Sequence, residues 1–288
     1  MLPSNSVFLL AGLGYAAARE YKLNCNPGGN FALEDWNLQL PELDNGHFKL
    51  VRSEDLKGCD GYHDEKYFFT DSVTGAMVLK APGNPDMTGC TTTPNSHHCR
   101  TELREVNPDS GRNMDWSSGD TNLLNATIAV VKADDGSFGT SVAQVFAEGA
   151  PLSALYVSQH GVITLDIKPR SPGEHRRVVT VGEVPLGSRF NFTISYSNHV
   201  LRLWLNGVES DEVGVRLTPA GICSFKLGNY NQGKSGGESE VHVFEIGLEH
   251  RPNDSLEVKE PCIAIDGAEL GDGSRGWRRG SFMGDHDQ

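Results

Sequence analysis

The sequence predicts an all-β sandwich or barrel. Three observations carry that expectation. Short runs of β-branched, aromatic and aliphatic residues recur at intervals of roughly 8–12 residues. Gly, Asn, Asp and Pro collect between them, and no window of a dozen residues shows the apolar period of a helix. In order, the runs are YFFT at 67–70, AMVLK at 76–80, TIAVV at 127–131, VITLDI at 162–167 and VLRLWL at 200–205. Turn residues fill the gaps, as in ADDGS at 133–137 and the Asn206-Gly207 pair. Residues 53–57 read as one helical turn. A single domain over residues 25–251 accommodates the pattern.

Composition bounds the rest. An apolar fraction of 38% in 288 residues is enough for a core and excludes wholesale disorder. Twenty-five Lys and Arg against 38 Asp and Glu leave a formal charge of -13. That balance argues against nucleic acid as a partner, since such binding rests on a basic surface, yet it leaves room for a local basic groove and an anionic ligand. No run approaches the roughly 20 apolar residues of a membrane span. Residues 1–18 read as a signal peptide, with the apolar VFLLAGL at 7–13 followed by Ala16, Ala17 and Ala18, although the first six residues carry no Lys or Arg. Sequons begin at Asn125, Asn191 and Asn253. The six cysteines have no metal-ligand spacing, so disulfides are expected rather than zinc. Cys90 with Cys99 is the first pairing to expect, closing a short loop that contains Pro94. The compartment reads as secreted, extracellular. Residues 252–288 lose the β pattern and read as a poorly ordered tail, with Cys262 as its tether.

Three segments are more polar than a purely structural strand requires. In RTELRE at 100–105, the strand period of two puts Arg100, Glu102 and Arg104 on one face and Thr101 and Leu103 on the other. Two guanidiniums around a carboxylate make either a rigid strip for gripping carboxylates or a solvated face of ion pairs. In SVAQVFAE at 141–148, Gln144 and Phe146 project together, and Gln144 is either a satisfied core amide or a donor to a ligand. In FKLGNYNQ at 225–232, Lys226, Gly228, Tyr230 and Gln232 share a face, and Gly228 leaves room for close approach to the backbone.

These segments, with NLQLP at 37–41 after Trp36 and CRTELRE at 99–105, resemble the alginate-lyase-type polysaccharide lyases: the family 7 alginate lyases and the related glucuronan lyases of family 20. CNPGGNF at 25–31 and TTPNSHH at 92–98 resemble fungal secreted members in particular. The resemblance implies a β-jelly-roll sandwich of two curved antiparallel sheets with the substrate in a concave cleft. It further implies β-elimination from a uronate chain, in which the carbon-5 proton is removed and the carbon-4 oxygen expelled. The sugar carboxylate must be neutralised for that proton to leave. By resemblance, Arg100 and Gln144 contact the carboxylate, Arg104 supports the same wall and Tyr230 is the catalytic tyrosine. Glu102, Lys226, Phe146, Asn231, Gln232 and His98 are further candidate substrate-binding residues.

One departure matters. The family strand ordinarily carries histidine after Gln-Ile or Gln-Val, where this chain has Phe146, which can neither accept a proton nor donate a hydrogen bond. Tyr230 would then act as both base and acid, which suits syn elimination from mannuronate or glucuronate; guluronate needs anti removal by a separate base. Alternatively, the cleft only binds glycan. His98 would share the face of Arg100 if that strand began early, whereas His97, His63 and His160 have no motif behind them. The expectation is a secreted polyuronate lyase favouring polymannuronate, with glucuronan lyase or a non-catalytic glycan-binding protein as alternatives. It would work without cofactor or metal ion, as a monomer, on an anionic polysaccharide.

Overall fold

The computed structural model describes residues 20–147, 149–168, 175–218, 220 and 222–253. The expected signal peptide, Cys262 and nearly all of the expected tail lie outside those residues. Sixteen strands are described: β1 (Trp36–Asp44), β2 (His47–Val51), β3 (Phe68–Thr70), β4 (Met77–Ala81), β5 (Arg100–Glu105), β6 (Thr121–Lys132), β7 (Thr140–Ala147), β8 (Ala150–Val157), β9 (Val162–Ile167), β10 (Arg177–Glu183), β11 (Phe190–Ser197), β12 (Val200–Leu205), β13 (Val208–Glu209), β14 (Val215–Arg216), β15 (Cys223–Tyr230) and β16 (Ser239–Arg251). One sheet runs β10-β9-β8-β7-β15-β5-β1-β2 and the other β13-β12-β11-β6-β16-β4-β3, with β14 on β12. The expected helical turn is a 3-10 turn, Ser53–Leu56. Asn206 and Gly207 both take positive φ, 50° and 80°, at the β12–β13 hairpin, which suits an Asn-Gly turn.

Register explains how one sheet serves both core and cleft. Leu38, Leu103, Leu227, Ala143, Leu155 and Leu165 are paired partners across six neighbouring strands. All six are buried in the main apolar cluster, packed with Phe68, Leu79, Ile128, Phe192 and Val243 of the opposite sheet. Burying each such leucine favours folding by about 1.5–3 kcal/mol. One residue over, the pleat turns the neighbouring row to the other face: Asn37, Arg104, Lys226, Gln144, Ala154 and Asp166. Two disulfides, Cys25–Cys59 and Cys90–Cys99, are formed among the described residues, so the pairing expected first is present. Cys223 is buried in β15.

On the outer face of the second sheet, two sequons pair reciprocally. Asn125 is opposite Thr193 and Thr127 opposite Asn191, and the Thr193 hydroxyl donates to Asn125 Oδ1 at 2.5 Å.

Candidate functional site

Arg104, Lys226 and Gln144 of the polar row floor a cleft of about 560 Å³. Eight of the candidate residues line it: His98, Arg100, Arg104, Gln144, Phe146, Lys226, Tyr230 and Gln232. Arg100, Arg104, Lys168 and Lys226 bring four cations to the wall, and no carboxylate side chain lines it among the described residues. A protein of net charge -13 thus keeps its cleft basic. A second cleft of about 430 Å³ shares His97, His98, Tyr156, Lys168 and Gln232 with the first and continues past Arg176.

Tyr230 closes β15 directly opposite Arg100 of β5 and Ser141 of β7. The Arg100 guanidinium carbon lies 3.7 Å from the centre of the Tyr230 ring, a cation–π contact. Arg100 is 4% exposed, with Glu102 Oε2 3.6 Å away as its counter-ion. Its Nε and Nη2 are buried without a hydrogen-bond partner among the described residues, as is Gln144 Oε1. Buried donors left unpaired are costly, and a bound carboxylate would satisfy those of Arg100. The loop closed by Cys90–Cys99 supplies the remaining groups. Ser96 Oγ and the Tyr230 hydroxyl are hydrogen-bonded, and the His98 ring meets the Tyr230 ring edge-on with centroids 5.9 Å apart.

Lys226 sits between Arg104 and Gln144 in the cross-strand row. Its ammonium lies 3.4 Å from the centre of the Phe146 ring. Burial pushes the Lys226 amine down to about 7; Glu102 opposes the shift, and Arg104 and Arg100 add to it. Gly228, between Lys226 and Tyr230, has φ 154°, and a Cβ there would come within 2.5 Å of Thr101 O and 2.8 Å of Glu102 Cα. The room expected at Gly228 is therefore used by β5 rather than by a ligand. The register of β15 on β7 shifts between Leu227 and Tyr230.

Two candidates are corrected. Asn231 is 1% exposed and does not face the cleft. Its amide nitrogen donates to Ala81 O, Gly237 O and Ser239 Oγ, so it ties the two sheets together. Glu102 has the right strand phase but is 2% exposed, lying beneath the lining as the counter-ion of Arg100. Just past Asn231, buried Asp134 accepts from the backbone N–H of Gln232 and of Gly136, each at 2.8 Å, which fixes the turn that follows Tyr230. Sequence reasoning missed Ser96, Tyr156 and Lys168 as lining residues. Of these, only Tyr156 left a signal, as the polar-tipped residue in the alternating Ala154, Leu155, Tyr156. Burial and then Asp166 push its phenol upward, so it stays a hydrogen-bond donor.

The comparisons agree with this geometry. The profile of the family described as alginate lyase matches residues 31–250. A curated alginate lyase from Klebsiella pneumoniae is 35% identical over 80 residues, covering 28% of this chain and 24% of that protein; the match thus spans about a quarter of the relative's length. Among solved structures, alginate lyase A1-II', a member of polysaccharide lyase family 7, is 27% identical with a TM-score of 0.62 over 79% of this chain and 99% of that one. A doubly substituted variant of that enzyme in complex with a substrate written GGMG is 26% identical, with a TM-score of 0.61 over 79% and 97% of the two chains. An alginate lyase from Klebsiella pneumoniae, 20% identical, shares the fold at a TM-score of 0.64 over 78% and 99%. With the family profile running from before β1 into β16, across both sheets and every strand that lines the cleft, this chain belongs to the alginate lyase family.

Proposed function

We propose that the protein is a secreted lyase of 1,4-linked polyuronates, acting on polymannuronate with Tyr230 as base and acid. The observation that carries the reading is the Arg100–Tyr230 stack: among the described residues, Arg100 Nε and Nη2 are buried and unpaired and no carboxylate lines the cleft. A uronate carboxylate held by Arg100 and Gln144 loses its ability to repel the charge that develops when the carbon-5 proton leaves. Tyrosinate takes that proton, the carbon-4 to carbon-5 double bond forms, and the bond from carbon 4 to the bridging oxygen breaks. The phenol then returns its proton to that oxygen from the same side of the ring, the geometry of mannuronate. Disulfides in a chain with an apolar leader-like start support secretion.

Tyr230→Phe tests the assignment. Formation of unsaturated uronate, read by ultraviolet absorbance on polymannuronate, should fall by about 10²–10⁴-fold while calorimetric binding of the polymer persists. An unchanged rate rules Tyr230 out as the proton-transfer group. Phe146 favours a second reading, a cleft that binds glycan without cutting it; polymer binding with no product from any of polymannuronate, polyguluronate and glucuronan would establish it.

A further inference from the structure

The sequons that pair across β6 and β11 are not equivalent, and neither matches the third at Asn253. Leu124 and Ala126 are buried in the main apolar cluster, so the pleat turns Asn125 to the outer face of the second sheet, on the sheet that does not carry the cleft. Its Oδ1 accepts from the Thr193 hydroxyl, and its Nδ2 donates to no group among the described residues. On its other side the register partner of Asn125 is Gly247 of β16. Gly247 is exposed, and a Cβ built there would meet nothing within 4 Å. An uncommitted amide nitrogen therefore stands beside a gap in the row of side chains.

The other two nitrogens are committed. Asn191 Nδ2 donates to Ala126 O at 3.2 Å and to Thr127 Oγ1 at 3.4 Å, and the Thr127 hydroxyl donates onward to Glu245 Oε2 at 3.0 Å. Asn253 Nδ2 gives its two hydrogens to Gly119 O and Asn198 Oδ1, while its Oδ1 accepts from the Thr121 hydroxyl. A sugar on such a nitrogen takes the place of one hydrogen, so at Asn253 it breaks a native bond. Asn125 and Asn191 are also diagonal neighbours, roughly 7–8 Å apart, and a sugar on one crowds the other.

We propose that Asn125 carries an N-linked glycan and that Asn191 and Asn253 serve as structural asparagines. In the transfer, Asn125 Nδ2 bonds to the anomeric carbon of an N-acetylglucosamine-headed oligosaccharide. One N–H proton is lost, and the lipid diphosphate that carried the oligosaccharide leaves. Attachment precedes folding, so the fold selects which occupied chains reach the native state. The inference rests on the reading of the chain as secreted.

The test expresses the full chain with its own start in yeast and maps the protein from the medium. Enzymatic release of N-glycans in heavy-oxygen water converts each glycan-bearing asparagine to a labelled aspartate, which mass spectrometry locates. Label should appear at 125 in most molecules and be nearly absent at 191 and 253. Asn125→Gln and Thr127→Ala should each lose it while keeping the near-ultraviolet circular dichroism of the wild type. Secreted protein without label at 125, or labelled equally at all three positions, would overturn the inference and leave secretion standing. Failure of the chain to reach the medium would instead overturn the secretion reading, and the inference with it.

Discussion

Lys226 is a cation whose surroundings support its charge only weakly: burial, Arg104 and Arg100 act against it, and Glu102 with the Phe146 ring for it. With its amine near 7, the free protein carries a partly neutral lysine between Gln144 and Arg104. An arriving uronate carboxylate favours the ammonium form. For a base whose charged form binds substrate, kcat/KM should fall as pH rises through about 7, approaching tenfold per pH unit. The corresponding limb in kcat should lie at higher pH, because bound carboxylate holds the proton on. Lys226→Arg, permanently charged, should lack the limb in initial-rate profiles; if the limb persists in that variant, another group owns it. The strand period made legible that Arg100 shares a face with Arg104 and Lys226 with Tyr230, whereas their roles came from the resemblance to the alginate lyases. Glu102 shows the limit of that reasoning, since period gives the face but not the depth. Asn231 shows another: β15 ends at Tyr230, and beyond it the Asp134 clip, not the pleat, decides where side chains point.

At the scale of elements, strands β5, β7 and β15 supply rigid positions, and the Cys90–Cys99 loop supplies Ser96 and His98. The chain enters that loop from a single helical turn, Pro85–Thr88, too short to be stable by itself. The disulfide closes nine residues of sequence separation, a constraint of about 2–3 kcal/mol on the loop. Cys90→Ser should therefore leave the sandwich cooperative but free Ser96 from Tyr230. We expect a drop of at least about tenfold in turnover, larger than any change in the unfolding midpoint would explain; unchanged turnover would show that the loop needs no tether. Strands such as β4, β9 and β12 were readable in sequence because each is an uninterrupted apolar or alternating run, whereas β2, β8, β10, β11 and β16 were not named there. The loop's place over Tyr230 was not readable, since it is set by a contact between Ser96 and a residue 134 positions away.

For the whole molecule, two fields of opposite sign act on a polyanion. The net charge of -13 repels it at a distance, while Arg100, Arg104, Lys168 and Lys226 attract it inside the cleft. Salt weakens the distant field first, because the Debye length is about 10 Å at 0.1 M and buried contacts are screened less. On polymannuronate, kcat/KM should rise from low salt to a maximum near about 0.1–0.15 M and then decline. A decline from the lowest salt onward would show that the cleft's field dominates at every range.

The pairing of an apolar row with a polar row one residue away constrains how this protein can change over generations. Gain or loss of one residue within β15 would carry Leu227 and Asn229 into the cleft and Lys226 and Tyr230 into the core. Chemistry and folding would fail in one event, leaving no half-working intermediate for selection to retain. Strands lining the cleft can thus diverge only by exchanging one side chain for another, as at Phe146, whereas length variation is confined to the connecting loops. Specificity in such a lineage would be rewritten mainly from the rim, where the segment carrying Ser96 and His98 can lengthen, shorten or be replaced without disturbing the register beneath it.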